Sequence, residues 1–471
     1  MNILESSKQN GVSKKGVLVV ITIASFLTPF MGSSINIALP PIGREFAIDA
    51  VLLAWIPTSY LLSATVFLLP FGRIADIYGR KRIFTYGIII YTISSLLAAT
   101  STSVIMLILV RIPQGIGGAM IFGTGVAILT SVYPVEERGR ALGINVAAVY
   151  LGLSLWPLLG GLLTQHFGWR SIFLANLPLG LAIITLLLWK LKGEWADAKG
   201  EKFDLSGSII YGLAVVAMMY GISLLPEILG FGVILMGILG FMAFVWWETK
   251  AASPVLNMNL FKNNRVFAFS NLAALINYSA TFAVAFLLSL YLQYTKGFSP
   301  QIAGMVLVSM PAVQAIFSPL AGRLSDKIAP QILASVGMVL TTIGLILLTF
   351  LGQNTAIWFI LISLMILGFG FAFFSSPNTN AVLSSVEAKI YGVASATLAT
   401  MRQVGMMFSM GITMLIFAIY IGRVEITPEY YSVFITSMKT AFVIFAVLCF
   451  GGIFASLARG KAKKSVSESS L

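Results

Sequence analysis

Charge is scarce in this chain. Only 10% of its 471 residues are charged and 58% are hydrophobic, whereas soluble domains carry about a quarter charged residues. That excludes an ordinary soluble protein. There is one cysteine, Cys449, inside an apolar run, so no disulfide can form within the chain. The single histidine, His166, has no Cys, His or carboxylate cluster around it, so no metal site is expected. Strands of alternating polarity, the mark of a membrane barrel, are missing. So is any G-x-x-x-x-G-K-[ST] segment, which leaves ATP-driven transport by this chain alone without support. The loops gather no acid, base and nucleophile, so an enzyme is not expected, and neither is a cofactor. Acidic residues are absent from the depth of every apolar run; Glu248 stands at the end of one.

What is present is apolar length. A bilayer span needs roughly 20 apolar residues at a rise of about 1.5 Å each. Fourteen stretches are expected to qualify: 16–40, 51–71, 83–100, 104–131, 141–164, 171–190, 205–225, 228–248, 266–293, 301–321, 331–351, 356–378, 391–421 and 435–457. An even number puts both termini on one side. That side receives 23 of the 30 lysines and arginines and the other side five, while Arg111 and Arg402 fall inside spans. Cytoplasmic loops are enriched in Lys and Arg, so both tails are expected in the cytoplasm of a cell whose plasma membrane holds the protein. The net charge of +13 therefore reads as membrane orientation rather than nucleic-acid binding.

The chain is organised around Gly72-Arg73-Ile74-Ala75-Asp76-Ile77-Tyr78-Gly79-Arg80-Lys81-Arg82, a charged bridge between the second and third spans. It is expected to be a tight turn, with Gly72 and Gly79 relieving backbone crowding. Asp76 is a lone carboxylate among four cations, so it can be paired and held ionised. About 250 residues later Gly322-Arg323-Leu324-Ser325-Asp326 again lies between two spans. The echo suggests a duplicated six-helix unit. The expected division is a tail over 1–15, a six-helix bundle over 16–191, linkers with an inserted helix pair over 192–265, a second six-helix bundle over 266–457 and a tail over 458–471. The polar segment 192–204 is too rich in Lys, Glu, Asp and Gly to form a core.

Further motifs follow in order: Asn36-Ile37-Ala38-Leu39-Pro40, Arg111-Ile112-Pro113-Gln114-Gly115, Gly152-Leu153-Ser154-Leu155-Trp156-Pro157 followed by Gly160-Gly161, Trp169-Arg170-Ser171-Ile172-Phe173, Asn176-Leu177-Pro178 and Phe203-Asp204-Leu205-Ser206-Gly207. With the Gly72–Arg82 bridge, this ordered set resembles the major facilitator superfamily, in its branch of fourteen-helix drug:proton antiporters. The resemblance covers about residues 16 to 457. It implies an all-α integral membrane protein of two six-helix pseudo-repeats plus two inserted helices, working as a monomer on a small-molecule substrate, with protons as the driving partner.

The resemblance also implies residue roles. Gly72, Arg73, Asp76, Gly79 and Arg80 would form a gating loop, with Asp76 engaging the start of the thirteenth span near Tyr391 and Gly392. Arg111, Gln114, Gly115 and Asn36 would line the proton or substrate pathway. Arg402 is a second intramembrane cation, explained either by a cavity or by snorkelling to the nearer surface. Arg111 costs about 2.5–3.5 kcal/mol at mid-membrane on insertion scales, so it must face polar partners. Gly152, Pro157, Gly160 and Gly161 form a kinked, small-residue helix face. Two positions depart from the family: Trp156 replaces a glycine, and Met31 stands where a first-helix aspartate is common. The Trp156 indole either faces lipid or fills part of a cavity. Without that aspartate, coupling would use Asp76 and Arg111, the substrate would carry the titrating group, or the protein would be a uniporter. The neutral candidates Asn36, Asn145, Asn271, Asn277, Tyr278, Gln314 and Asn378 favour a neutral, zwitterionic or anionic amphipathic substrate. A narrow carrier of a metabolite or lipid-like compound, and a transporter-like receptor without flux, remain as alternatives.

Overall fold

The computed structural model describes residues 13–460 except 192, 252, 326, 388 and 389, and of residues 30, 31, 135 and 136 it describes the backbone alone. Met31's side chain, Asp326 of the repeated motif and most of both tails therefore lie outside the described residues.

Fourteen helices are long and apolar enough to cross a membrane: α1 Lys14–Phe46, α2 Ala50–Tyr78, α3 Arg80–Ala99, α4 Val104–Val132, α5 Glu137–Phe167, α6 Arg170–Lys190, α7 Leu205–Leu224, α8 Ile228–Glu248, α9 Arg265–Thr295, α10 Pro300–Ser325, α11 Pro330–Leu348, α12 Ile357–Ser384, α13 Tyr391–Tyr420 and α14 Pro428–Leu457. Local chemistry sets their starts. Asp49 Oδ1 accepts from the amides of Val51 and Leu52 at 2.9 and 2.8 Å to cap α2. Ser103 caps α4 through Met106, and Ser299 caps α10 through Ile302 with Pro300 in the first turn. Each cap satisfies an amide that the helix itself leaves open.

The six helices on either side of the inserted pair pack in the same pattern. In the first half α1 packs on α5, α2 on α4, α3 on α4 and α3 on α6. In the second half α9 packs on α13, α10 on α12, α11 on α12 and α11 on α14. Shifting each helix number by eight maps one set onto the other. The halves meet along two seams, α2 with α13 and α5 with α10, which the same shift exchanges, and also where α1 packs on α9 between them. The inserted α7 lies against α2 and α13, beside one seam, while α8 packs chiefly on α7.

One expectation about the bridge changes. The tight turn is confined to one residue: α2 stays helical through Tyr78 and α3 begins at Arg80, leaving Gly79 alone between them. Gly79 adopts φ 120°, where glycine is favoured, and a Cβ there would run into Glu194. Gly72 is an ordinary helical position with nothing near where its Cβ would be. Hydropathy falls where α2 leaves the apolar zone, but its backbone hydrogen bonds continue.

Candidate functional site

The two ends of the bundle differ in how the halves touch. The end that collects Lys and Arg is termed the basic end here, and the opposite one the far end. Among the described residues, every hydrogen bond joining the two halves lies between mid-helix and the far end. Ser289 Oγ donates to the Asn36 carbonyl at 2.6 Å and Gln293 Nε2 to the Ile37 carbonyl at 3.0 Å. The Ala50 amide donates to the Val424 carbonyl at 3.2 Å, and Arg44 reaches the Gln293 carbonyl at 3.4 Å. Tyr294 donates to the Pro40 carbonyl at 3.4 Å, and Thr58 Oγ1 lies 3.8 Å from Met414 Sδ. Nearest the middle, Ser154 Oγ donates to the Pro311 carbonyl at 3.0 Å. Asn36 thus takes part through its backbone, with its side chain buried.

The small-residue face of α5 makes this closure dense. A Cβ on Gly161 would fall 2.6 Å from the Pro300 carbonyl across the α5–α10 seam, and one on Gly160 would fall 2.7 Å from Ser34 Cβ on α1. Pro157 presents its carbonyl to Gly304. Trp156 faces inward rather than toward lipid. It is buried, its Nε1 donates to the Phe26 carbonyl at 2.9 Å, and its ring lies 4.8 Å from that of Phe26. A Cβ on Gly152 would fall 2.8 Å from the same carbonyl. The indole therefore joins α5 to α1 inside the first half.

Arg111 ties three helices together. Its Nε donates to the Ile56 carbonyl of α2 at 3.2 Å, and its NH1 donates to Gln114 Oε1 at 2.9 Å. Gln114 Nε2 then donates to Ser95 Oγ of α3 at 2.8 Å. The guanidinium lies over the Tyr60 ring, 4.7 Å from its centre, a favourable place for a dehydrated cation. Gly115 lets α4 approach the Tyr60 carbonyl, where a Cβ would collide. Arg111 is 1% exposed. The six ion pairs among the described residues all sit at helix ends, so no carboxylate neutralises it.

Arg402 in α13 is held differently. Its NH2 donates to Thr379 Oγ1 at 2.7 Å, and the guanidinium lies 5.6 Å from the Tyr278 ring centre. Tyr278 meets Phe371 edge-on at 6.1 Å. The residue is half-buried and its Nε has no partner. Next to Tyr278 and Thr379 in sequence, Asn277 and Asn378 are buried with both amide atoms unpartnered. Unsatisfied amides of this kind are costly unless something else binds them.

At the basic end the bridge is strapped. Asp76 pairs with Arg80 at 2.6 Å, one turn on, instead of reaching α13. Tyr391 is exposed and Gly392 has open space around it, so the contact expected of Asp76 is not made in this conformation. The segment following α6 takes that place. Glu194 accepts from the amides of Lys81 and Arg82 at 2.8 and 3.2 Å. The Trp195 carbonyl accepts from the Arg80 amide at 2.8 Å, and Asp197 pairs with Arg80 at 2.7 Å. Glu201 pairs with Arg73, and the Ala198 amide donates to the Asp76 carbonyl at 2.9 Å. Too polar to form a core, this linker nonetheless packs on the bridge through its charged side chains and backbone. The signal available was its spacing of Glu194, Asp197 and Glu201 opposite a cationic bridge.

Comparison with known proteins agrees with this architecture. A family model described as the Major Facilitator Superfamily matches residues 21–247 and 270–470. The riboflavin transporter RibZ of Clostridioides difficile (strain 630) is 30% identical over 455 residues, covering 96% of this chain and 99% of that protein. The multidrug resistance protein Stp of Mycobacterium tuberculosis (strain CDC 1551 / Oshkosh) is 31% identical over 377 residues, or 79% of this chain and 70% of Stp. Among solved structures, a bacterial homologue of the human lysosomal transporter Spinster superposes with a TM-score of 0.69 at 17% identity, covering 95% of this chain and 97% of that one. Both halves and the pair between them are thus accounted for, and the chain belongs to the Major Facilitator Superfamily, as a multi-pass membrane protein grouping with its drug-efflux branch.

Proposed function

We propose that the protein is a secondary transporter of the plasma membrane that exports neutral or anionic amphipathic small molecules by alternating access, as a monomer and not as an enzyme. The observation that carries this reading is the asymmetry of the seams: inter-half hydrogen bonds run from mid-helix to the far end, with none at the basic end among the described residues. With the basic end cytoplasmic, as its share of Lys and Arg favours, this is a cytoplasm-open state. Segments 16–191 and 266–457 would be the moving bodies.

The substrate class is argued from charge. The two intramembrane cations, Arg111 and Arg402, have no carboxylate partner among the described residues. Such a site repels a dication and tolerates a neutral or anionic ring system. Arg402, Tyr278 and Phe371 offer a cation beside aromatic faces. A relative named for riboflavin, a neutral aromatic heterocycle, fits that class.

The same lack of a core carboxylate favours a second reading, uniport without proton antiport. Purified protein in liposomes separates the two. Flux of a fluorescent aromatic substrate that accelerates under an imposed pH gradient supports antiport. Flux indifferent to that gradient selects uniport, and no flux at all selects a receptor.

A further inference from the structure

The inserted pair holds two carboxylates that the transport reading does not use. Asp204 caps α7, its Oδ1 accepting from the Gly207 amide at 2.9 Å, and both of its oxygens accept from Trp247 Nε1, at 3.1 and 2.9 Å. Glu248 ends α8. Its Oε2 accepts from the Leu256 amide at 2.8 Å, but its Oε1 has no partner although the residue is only 3% exposed. The two side chains converge on Gly207. A Cβ there would lie 2.5 Å from Glu248 Oε1 and 2.6 Å from Asp204 Oδ2, so the two oxygens are at most about 5 Å apart. Neither carboxylate is in an ion pair.

Among the described residues the surroundings supply no compensating cation. Asp204, the cap of α7, is the charged side chain that converges with Glu248 on Gly207. Lys202 before α7, Lys250 after α8 and Lys262 on the short helix Met258–Asn263 are exposed and unpaired with it. Lys250 lies instead over the Trp246 ring at 4.0 Å. Higher on α7, Tyr211 donates to the Thr65 carbonyl of α2 at 3.0 Å. Among the described residues, no cation of α2 or α13 forms an ion pair with Glu248. A pocket of about 280 Å³, lined by Glu248 with Thr249, Asn257 and Asn259, gives access from the basic end.

Two adjoining carboxylates in a buried setting do not both ionise readily, and a single proton removes the repulsion and gives the orphaned oxygen a role. We propose that Asp204 and Glu248 form a proton-binding site that holds one shared proton at neutral pH. Both Asp204 oxygens are occupied by the α7 amide and the indole N–H, whereas Glu248 Oε1 has no partner, so the proton is assigned to Glu248. When the proton leaves, two anions face each other at the foot of α7. That helix packs on α2 of one half and α13 of the other: Gly212 meets Val66, and Gly411 meets Met219 and Ile222. Proton occupancy of the inserted pair would therefore bear directly on one of the two seams.

Infrared spectroscopy of the full protein in liposomes tests this without any flux measurement, so its outcome is independent of the transport reading. The expected result is a protonated-carboxyl carbonyl band at neutral pH that disappears on alkaline titration, is lost in Glu248→Gln and titrates at lower pH in Asp204→Asn. Absence of the band, or its persistence in Glu248→Gln, overturns the proposal. Should those variants fail to fold, the wild type suffices: a hydrophobic carbodiimide should modify Glu248 at neutral pH and progressively less at alkaline pH. Peptide mapping that finds no adduct on Glu248 overturns the proposal. Sodium or magnesium binding that needs both carboxylates at neutral pH also overturns it, in favour of a metal site.

Discussion

Arg111 and Arg402 are both cations inside spans without a carboxylate partner, yet the protein treats them differently. Arg111 is sealed, with donors committed to Ile56 and Gln114 and its face on Tyr60. Arg402 keeps an unpartnered Nε and is half-buried, held by one hydroxyl. A buried guanidinium that spends its donors on its own half sets geometry and charge there. One that withholds a donor is available to something that arrives. On the transport function proposed above, the pair would separate a fixed positive charge from a recognition group, and the difference can be tested from both sides.

The largest effect is expected at Arg111. Replacing it with alanine orphans one buried acceptor, Gln114 Oε1, at about 1–3 kcal/mol, since the Ile56 carbonyl keeps the Ser59 hydroxyl at 3.1 Å, and it removes a cation that costs about 2.5–3.5 kcal/mol in the membrane. The two nearly cancel. Arg111→Ala should therefore remain folded, by size-exclusion chromatography and thermal unfolding, while substrate flux in liposomes is abolished. A variant that folds and transports would make Arg111 dispensable and dissolve the contrast.

Next comes the closed seam against which both arginines work. Gly161→Val places side-chain atoms where the Pro300 carbonyl lies. It should hold the far end open, raise thiol labelling of a cysteine introduced at Val424, and cut flux at least tenfold. Gly72→Ala, with open space around it, is the matched control and should leave both readouts unchanged.

Arg402→Ala should act on recognition alone. The apparent affinity for an anionic aromatic substrate should weaken about tenfold, equivalent to about 1.4 kcal/mol, with little change for a neutral one and none in the unfolding midpoint. Equal loss for both substrates would place Arg402 with Arg111 as a structural cation.

The smallest effect belongs to Glu194→Gln. It weakens the cap on the first turn of α3 and loosens the strap over the bridge. Limited proteolysis within 193–204 should quicken several-fold while flux changes little.

Much of this was legible from residue order. Long apolar runs and the Lys/Arg bias were enough for fourteen spans, because lipid offers no alternative partner for backbone groups. The echo of Gly72-Arg73 in Gly322-Arg323 pointed to the duplicated unit that the packing repeats. The ends of helices were harder. Arg73 and Asp76 look like a loop to a hydropathy reading, yet charged side chains at the rim of a span leave the helix intact. Contacts between distant segments were not legible. Trp156 could not be matched to the Phe26 carbonyl from spacing, and the spacing of Glu194, Asp197 and Glu201 signals a basic partner without singling out the Asp76–Arg80 pair. Glu248 reads as a surface acid at a span end, and only the fold of the following loop and the return of Asp204 enclose it.

Gly79 is the whole connection between a helix of 29 residues and one of 20. A joint that short has no slack to absorb movement, so any tilt of α2 is handed to α3 at once, and through α3 to the helices it touches. On the transport function proposed above, the first half would then swing like a door on its frame rather than ripple helix by helix.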